Sequence, residues 1–270
     1  MRPSPPALFV LAALTLAGGV GIVATRSAEG ASDERPALPS DAASFGFVVR
    51  SHANGVPLLE STEPFSLALA NGPVHGLPPS RERLTRGSAL VARELGRYPT
   101  AFLRGVRLAG VVLTDGLAEN EMPVPSLPNV GGLLLIDVSS AESDLVRSLH
   151  HELYHFFDLA DDGHVSPDPG WSALNPTTFA YGSGGRTLRG AWAARPADDL
   201  PGFVSAYATS GVEEDKADTF AFAVARAAYL RERVATDAVL RAKVEELRRR
   251  VSLLDADSAR RLGLEGLLAR

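Results

Sequence analysis

Between residues 142 and 157, apolar positions recur three and four apart: Leu145, Val146, Leu149, Leu153, Phe156 and Phe157. That spacing predicts a helix with one apolar stripe laid against a core. Ser139, with Glu142 three residues on, predicts a capping box in which Ser139 is the N-cap. His151 and His155 fall roughly opposite the stripe on a helical wheel. They point away from the core together, whereas a packed core histidine would lie within the stripe.

The rest of the pattern predicts a mixed protein. Residues 45–50 read as a strand, and residues 80–95 as a helix stopped by Gly96 and Pro99. Residues 106–114 read as a second strand and residues 116–130 as a loop rich in Pro and polar groups. Gly131-Gly132-Leu-Leu-Leu-Ile-Asp137 reads as a buried strand just before the histidine helix, with two readings open: the edge of a cleft where an extended peptide can pair, or an ordinary core strand. Residues 158–185 read as a long loop. The run Tyr181-Gly-Ser-Gly-Gly185 within it is turn chemistry, since it neither leaves a strand nor opens a helix as a phosphate loop must. Apolar, alanine-rich helix follows from Glu214 to about residue 230, and residues 237–254 form an amphipathic helix.

The N-terminus has a different pattern. Arg2 precedes an apolar run over residues 7–24, whose Gly18, Gly19 and Gly21 suit neither a core helix nor an amphipathic one. It reads as a signal peptide or membrane anchor (1–24), followed by a flexible linker rich in Ala, Ser, Pro and charge (25–44), a main domain (45–230) and a C-terminal helical extension packed on it (231–270). The expected location is extracytoplasmic: secreted, periplasmic or anchored. Membrane contact would come only through the N-terminal segment.

Composition narrows the chemistry. At 270 residues and 45% hydrophobic content the chain can bury one full-sized core. A net charge of −5 argues against nucleic acid as a partner, and the basic run over residues 241–250, broken by Glu245 and Glu246, reads as a solvated helix face. There is no cysteine, so a metal must be held by histidine and carboxylate.

His151-Glu152-Leu-Tyr-His155 is an HExxH motif. Two imidazoles four apart on a helix can close on one ion, and the glutamate beside it can take a proton from water that the ion activates. A catalytic zinc site needs a third protein ligand. Asp161 stands where the metzincin pattern would place one, but Asp158 replaces the turning glycine and no methionine follows Met122. Glu214 is the stronger candidate, because Asp218 one turn on can orient a ligating histidine, most naturally His151. Glu213 ranks below it, its partner four residues on being Ala217. Acids in a first helical turn also favour the positive end of the helix dipole, which explains the cluster but not Asp218.

HExxH with a distant Glu214-x-x-x-Asp218 resembles the gluzincin metallopeptidases. Tyr207, seven residues before Glu214, is similar to the arrangement in the catalytic domain of anthrax lethal factor, and the stretch Trp171-x-x-Leu-Asn-Pro176 to Tyr181-Gly182 resembles bacterial zinc-binding metallopeptidases. The resemblance covers about residues 108–228 and implies an α+β zincin-like domain, with a small mixed sheet over the HExxH helix and a mostly helical C-terminal part. It further implies Zn2+ held by His151, His155 and Glu214, Glu152 as general base and Tyr207 as hydrogen-bond donor to the oxyanion, acting on a peptide or protein substrate. The lethal-factor type carries Glu where this chain has Asp218, and the Trp171–Tyr181 insertion is expected as a lid or substrate wall. His150 reads as a neighbour of the site, His52, His75 and His164 as surface or loop residues, and Asp158 as a contact behind the ligands. The rival reading is a non-catalytic zinc-containing module that binds peptide or protein.

Overall fold

The structure is a computed structural model and describes residues 42–69, 71–163, 165–188 and 194–269. The apolar segment and most of the linker read from the sequence, and His164, lie outside the described residues. Among the described residues no helix is long and apolar enough to cross a membrane.

The protein is mixed α+β, with a curled sheet of eight strands. The strands are β1 (Phe47–Ala53), β2 (Val56–Ser61), β3 (Phe65–Leu69), β4 (Gly72–Leu77), β5 (Gly110–Glu119), β6 (Met122–Pro123), β7 (Ser126–Val130) and β8 (Leu133–Asp137). The helices are α1 (Arg81–Leu95), α2 (Thr100–Gly105), α3 (Glu142–Asp162), α4 (Pro169–Ser172), α5 (Val212–Ala225), α6 (Ala227–Thr236), α7 (Ala238–Leu254) and α8 (Ala256–Arg261).

Strand β5 makes the sheet curl. Its first half pairs in parallel with β2 and β8, and its second half pairs antiparallel with β4 and β6. The change falls at Gly116, which has φ +59°, opposite an irregularity in β4 between His75 and Leu77. A left-handed residue in mid-strand is a glycine's place, and the bend it makes redirects the strand from one set of partners to the other.

Alternation then divides the side chains between two layers. Leu58, Val111, Leu113, Leu134 and Ile136 face α1, α2, α3 and α5, where Leu90, Val91 and Leu95 with Phe102, Leu149, Phe157 and Phe220 complete the main core. Leu59, Val112, Leu133 and Leu135 face the other way, onto Phe47, Phe65, Leu67 and Val74.

Several sequence expectations are corrected. The stretch 116–130 is not a loop: it carries the end of β5, then β6 and β7. Strand β8 is buried between β5 and β7, so among the described strands the free edge beside α3 belongs to β7. The N-cap of α3 is Ala141 and not Ser139, whose backbone N–H instead donates to Asp137 Oδ1 at 2.8 Å. The helix expected from Glu214 to residue 230 breaks at Arg226 into α5 and α6. The basic run on α7 is only partly solvated, because Lys243 and Arg250 are buried.

Candidate metal centre

Helix α3 carries its apolar stripe into the core and leaves His151 and His155 one turn apart on the face towards α5. The N-terminal turn of α5 brings Glu214 to meet them. His151 Nε2 lies 3.0 Å from Glu214 Oε2, His155 Nε2 lies 3.6 Å from the same oxygen, and the two Nε2 atoms are 3.1 Å apart. One ligand atom from each of the three lies within 4.8 Å of the others, so this His/His/Glu group can hold a metal ion. Glu213 is not part of it; its carboxylate lies against Gly211 and Gly184.

Asp218 stands behind His151. Its Oδ1 accepts a 2.8 Å hydrogen bond from Nδ1, which puts the proton on that nitrogen and turns the Nε2 lone pair towards Glu214 and His155. The same carboxylate accepts from Arg147 and from the Ser205 hydroxyl. Burial disfavours a charged Asp218, but the Arg147 charge and the His151 hydrogen bond outweigh it and hold the carboxyl below its usual range. Burial likewise opposes a charged His151. The hydrogen bonds to Asp218 and Glu214 prevail and raise it to about 10, so a cation entering here displaces a proton. Glu214 is desolvated too, yet its contacts with His151 and His155 hold it well below the ordinary carboxylate range.

Glu152 is buried and points to the sheet side of the helix, where the Ser126 hydroxyl donates to Oε1 at 2.6 Å. Ser126 opens β7, in the stretch that reads as loop from sequence. Tyr207 stands next to the first histidine, its ring 5.7 Å from that of His151. Burial and the charges of Glu214 and Glu152 push its phenol far above the usual range, so it stays a donor, and its hydroxyl bonds to Glu214.

Residues 181–188 form a strap across this corner. Tyr181 donates to Asp215 at 2.6 Å, Gly182 N–H to Thr209 O at 3.0 Å and Gly184 N–H to Ser210 O at 2.6 Å. Arg186 then reaches the sheet, donating to Asn71 O at 2.9 Å. Between these anchors Gly185 presses its backbone on Glu214 and Tyr207 so closely that a Cβ would overlap Glu214 Oε1 and the tyrosine hydroxyl.

The Trp171–Tyr181 stretch is anchored at both ends to Asp215. Trp171 is fully buried, and its indole N–H donates to Asp215 at 2.9 Å. Asp215 also meets Lys243 of α7 at 2.7 Å, and Lys216 is enclosed by Asp158 and Asp168. Asp158 thus faces Lys216 and not the histidines. Asp168 in turn pairs with Arg250. These buried charges tie α3, α4, α5 and α7 together directly behind Glu214.

His150 is a core residue: Nδ1 accepts from the Tyr98 hydroxyl at 2.6 Å, and Nε2 donates to Glu94 at 3.1 Å. His75 lies 3.3 Å from Glu121 at the surface, and His52 is exposed. The residues that sequence reasoning missed are Ser126, Arg147, Ser205 and Gly185. Only Arg147 left a signal, standing four before His151 on one helix face.

In comparisons with known proteins, the chain matches no family model, no curated protein and no solved structure.

Proposed function

We propose that the protein is an extracytoplasmic zinc-dependent peptidase on a zincin-like fold. The observation that carries this reading is the meeting of His151, His155 and Glu214, with Asp218 behind His151 and with Glu152 and Tyr207 beside them. Two imidazole nitrogens and a carboxylate oxygen are a donor set that suits Zn2+, and Asp218 fixes the tautomer that frees Nε2. When bound, the ion supplies a Lewis acid that polarises a carbonyl and lowers the pKa of water to about 7.

The side chains supply the rest. Glu152, with Oε1 held by Ser126, takes a proton from the attacking water and returns it to the leaving amine. Tyr207, kept protonated by burial, donates to the oxyanion once its hydroxyl leaves Glu214. The free edge of β7 lies next to Glu152 and offers backbone groups to an extended peptide. The location outside the cytoplasm rests on the apolar run at residues 7–24.

A second reading, a zinc module that binds without catalysis, has one observation in its favour: the strap at Gly185 lies directly on Glu214 and Tyr207. Incubating the zinc-loaded full chain with a diverse peptide library, beside Glu152→Gln, separates the two. Cuts by the parent that vanish in the variant, with zinc retained in both, support the peptidase. Bound zinc with no cuts from either favours the binding module.

A further inference from the structure

Arg147 has no role in the reaction just described, yet it touches both sides of the site. It lies one turn before His151 on α3, with its side chain only 11% exposed. The guanidinium pairs with Asp218 Oδ1, the oxygen that also accepts from His151 Nδ1. It also lies 5.8 Å from the centre of the Tyr207 ring, a cation–π distance. Its Nε is buried with no hydrogen-bond partner among the described residues, which costs stability. A tie between α3 and α5 alone would be made more cheaply by an apolar side chain of similar volume.

The charge count points the same way. Glu152, Glu214 and Asp218 bring three negative charges to the cluster, and Arg147 brings a permanent positive charge that contacts one of them, Asp218. With a divalent cation the four groups and the ion are neutral together. Without Arg147 the buried set keeps an uncompensated charge, and among the described residues Asp218 keeps Ser205 and the imidazole that it orients.

We propose that Arg147 is a positioning residue of the metal centre, fixing Asp218 in the orientation that sets His151 for coordination and holding the Tyr207 ring beside the ligands. The proposal rests on the metal reading above and reaches the metal only through Asp218. A lysine cannot substitute fully, because it has neither the planar fork for the carboxylate nor the flat face for the tyrosine.

The test is zinc affinity of the full chain, read by competition with a chromophoric chelator, for the parent, Arg147→Met, Arg147→Lys, Asp218→Asn and the Arg147→Met/Asp218→Asn double variant. Circular dichroism in excess chelator reports folding. Losses of about 10–100-fold are expected for Arg147→Met and about tenfold for Arg147→Lys. The double variant should bind hardly more weakly than Asp218→Asn, because the arginine acts through that carboxylate. Parent-like affinity in Arg147→Met, or losses that simply add, overturns the proposal. Should Arg147→Met not fold, Arg147→Lys decides: affinity equal to the parent's overturns it and a tenfold loss supports it. A parent that takes up no zinc overturns the metal reading and this proposal together, whereas a zinc-binding parent matched by both variants removes only the role of Arg147.

Discussion

The Ser126 hydroxyl donates a 2.6 Å hydrogen bond to Glu152 Oε1, joining the free edge of the sheet to the carboxylate between the two histidines. A peptide laid on β7 would therefore lie beside the proposed general base. Ser126→Ala should leave zinc stoichiometry unchanged and lower kcat about thirtyfold, the effect of about 2 kcal/mol for a lost hydrogen bond to a charged group. Ser126→Thr should recover most of it. Steady-state kinetics with a cleaved peptide checks this, and an unchanged kcat in Ser126→Ala refutes it.

Gly185→Ala should damage the site from the strap side. The added methyl meets Glu214 and Tyr207 at overlapping distance, so either the strap or the ligand must move. Zinc affinity is expected to fall about tenfold or more, as when a group supporting a metal ligand is displaced. Gly266→Ala is the control, since a Cβ there meets nothing within 4 Å. Equal zinc binding by both variants would show that the strap yields freely.

Lys243 and Asp215 are both fully buried and lie 2.7 Å apart. Lys243→Met strands the Asp215 charge beside Trp171 and Tyr181, and should destabilise the fold by about 3–5 kcal/mol in urea denaturation. Arg249→Gln, which breaks only a surface pair with Glu246, should cost less than about 1 kcal/mol. Comparable effects from the two would mean that α7 does not brace the site.

Acid should weaken the protein through Glu94 and His150. The hydrogen bond from His150 lowers Glu94 from 4.5 to about 2, against burial and with help from Arg93 and Arg97. Burial lowers His150 from 6.5, against the pull of Glu94. At both groups the folded state binds fewer protons than the unfolded chain, so stability rises with pH across this window. Solvent screening around the half-exposed Arg93 and Arg97 reduces the Glu94 contribution to about 1–2 kcal/mol. It is complete above pH 4.5 and lost as pH falls towards 2. Glu94→Gln should start less stable and show a flatter decline between about pH 5 and 3 in denaturation midpoints. A parallel decline in both would assign the acid sensitivity elsewhere.

The histidine pair was legible because its geometry is local. Four residues on a helix set the distance between His151 and His155, and the same spacing relates Glu214 to Asp218. The short strand-like runs and the helical patterns likewise announced a mixed fold. Strand β7 was hidden because it is an edge strand containing Pro128 and Asn129, at the point where its pairing with β8 slips, and an edge tolerates residues that a central strand rejects. Lys243 and Arg250 read as solvent-facing because charge normally is; the buried partners Asp215 and Asp168 lie far off in sequence.

What the sequence determined by itself, then, is each half of the site: two imidazoles on one helix and two carboxylates on another. That the halves meet was an expectation which the tertiary structure bears out; tertiary structure alone decided that Ser126 reaches Glu152, that Arg147 shares Asp218 with His151, and that Gly185 closes over Glu214. Those contacts join residues between 26 and 71 positions apart, and no periodicity in a chain encodes which distant side chains packing will bring together.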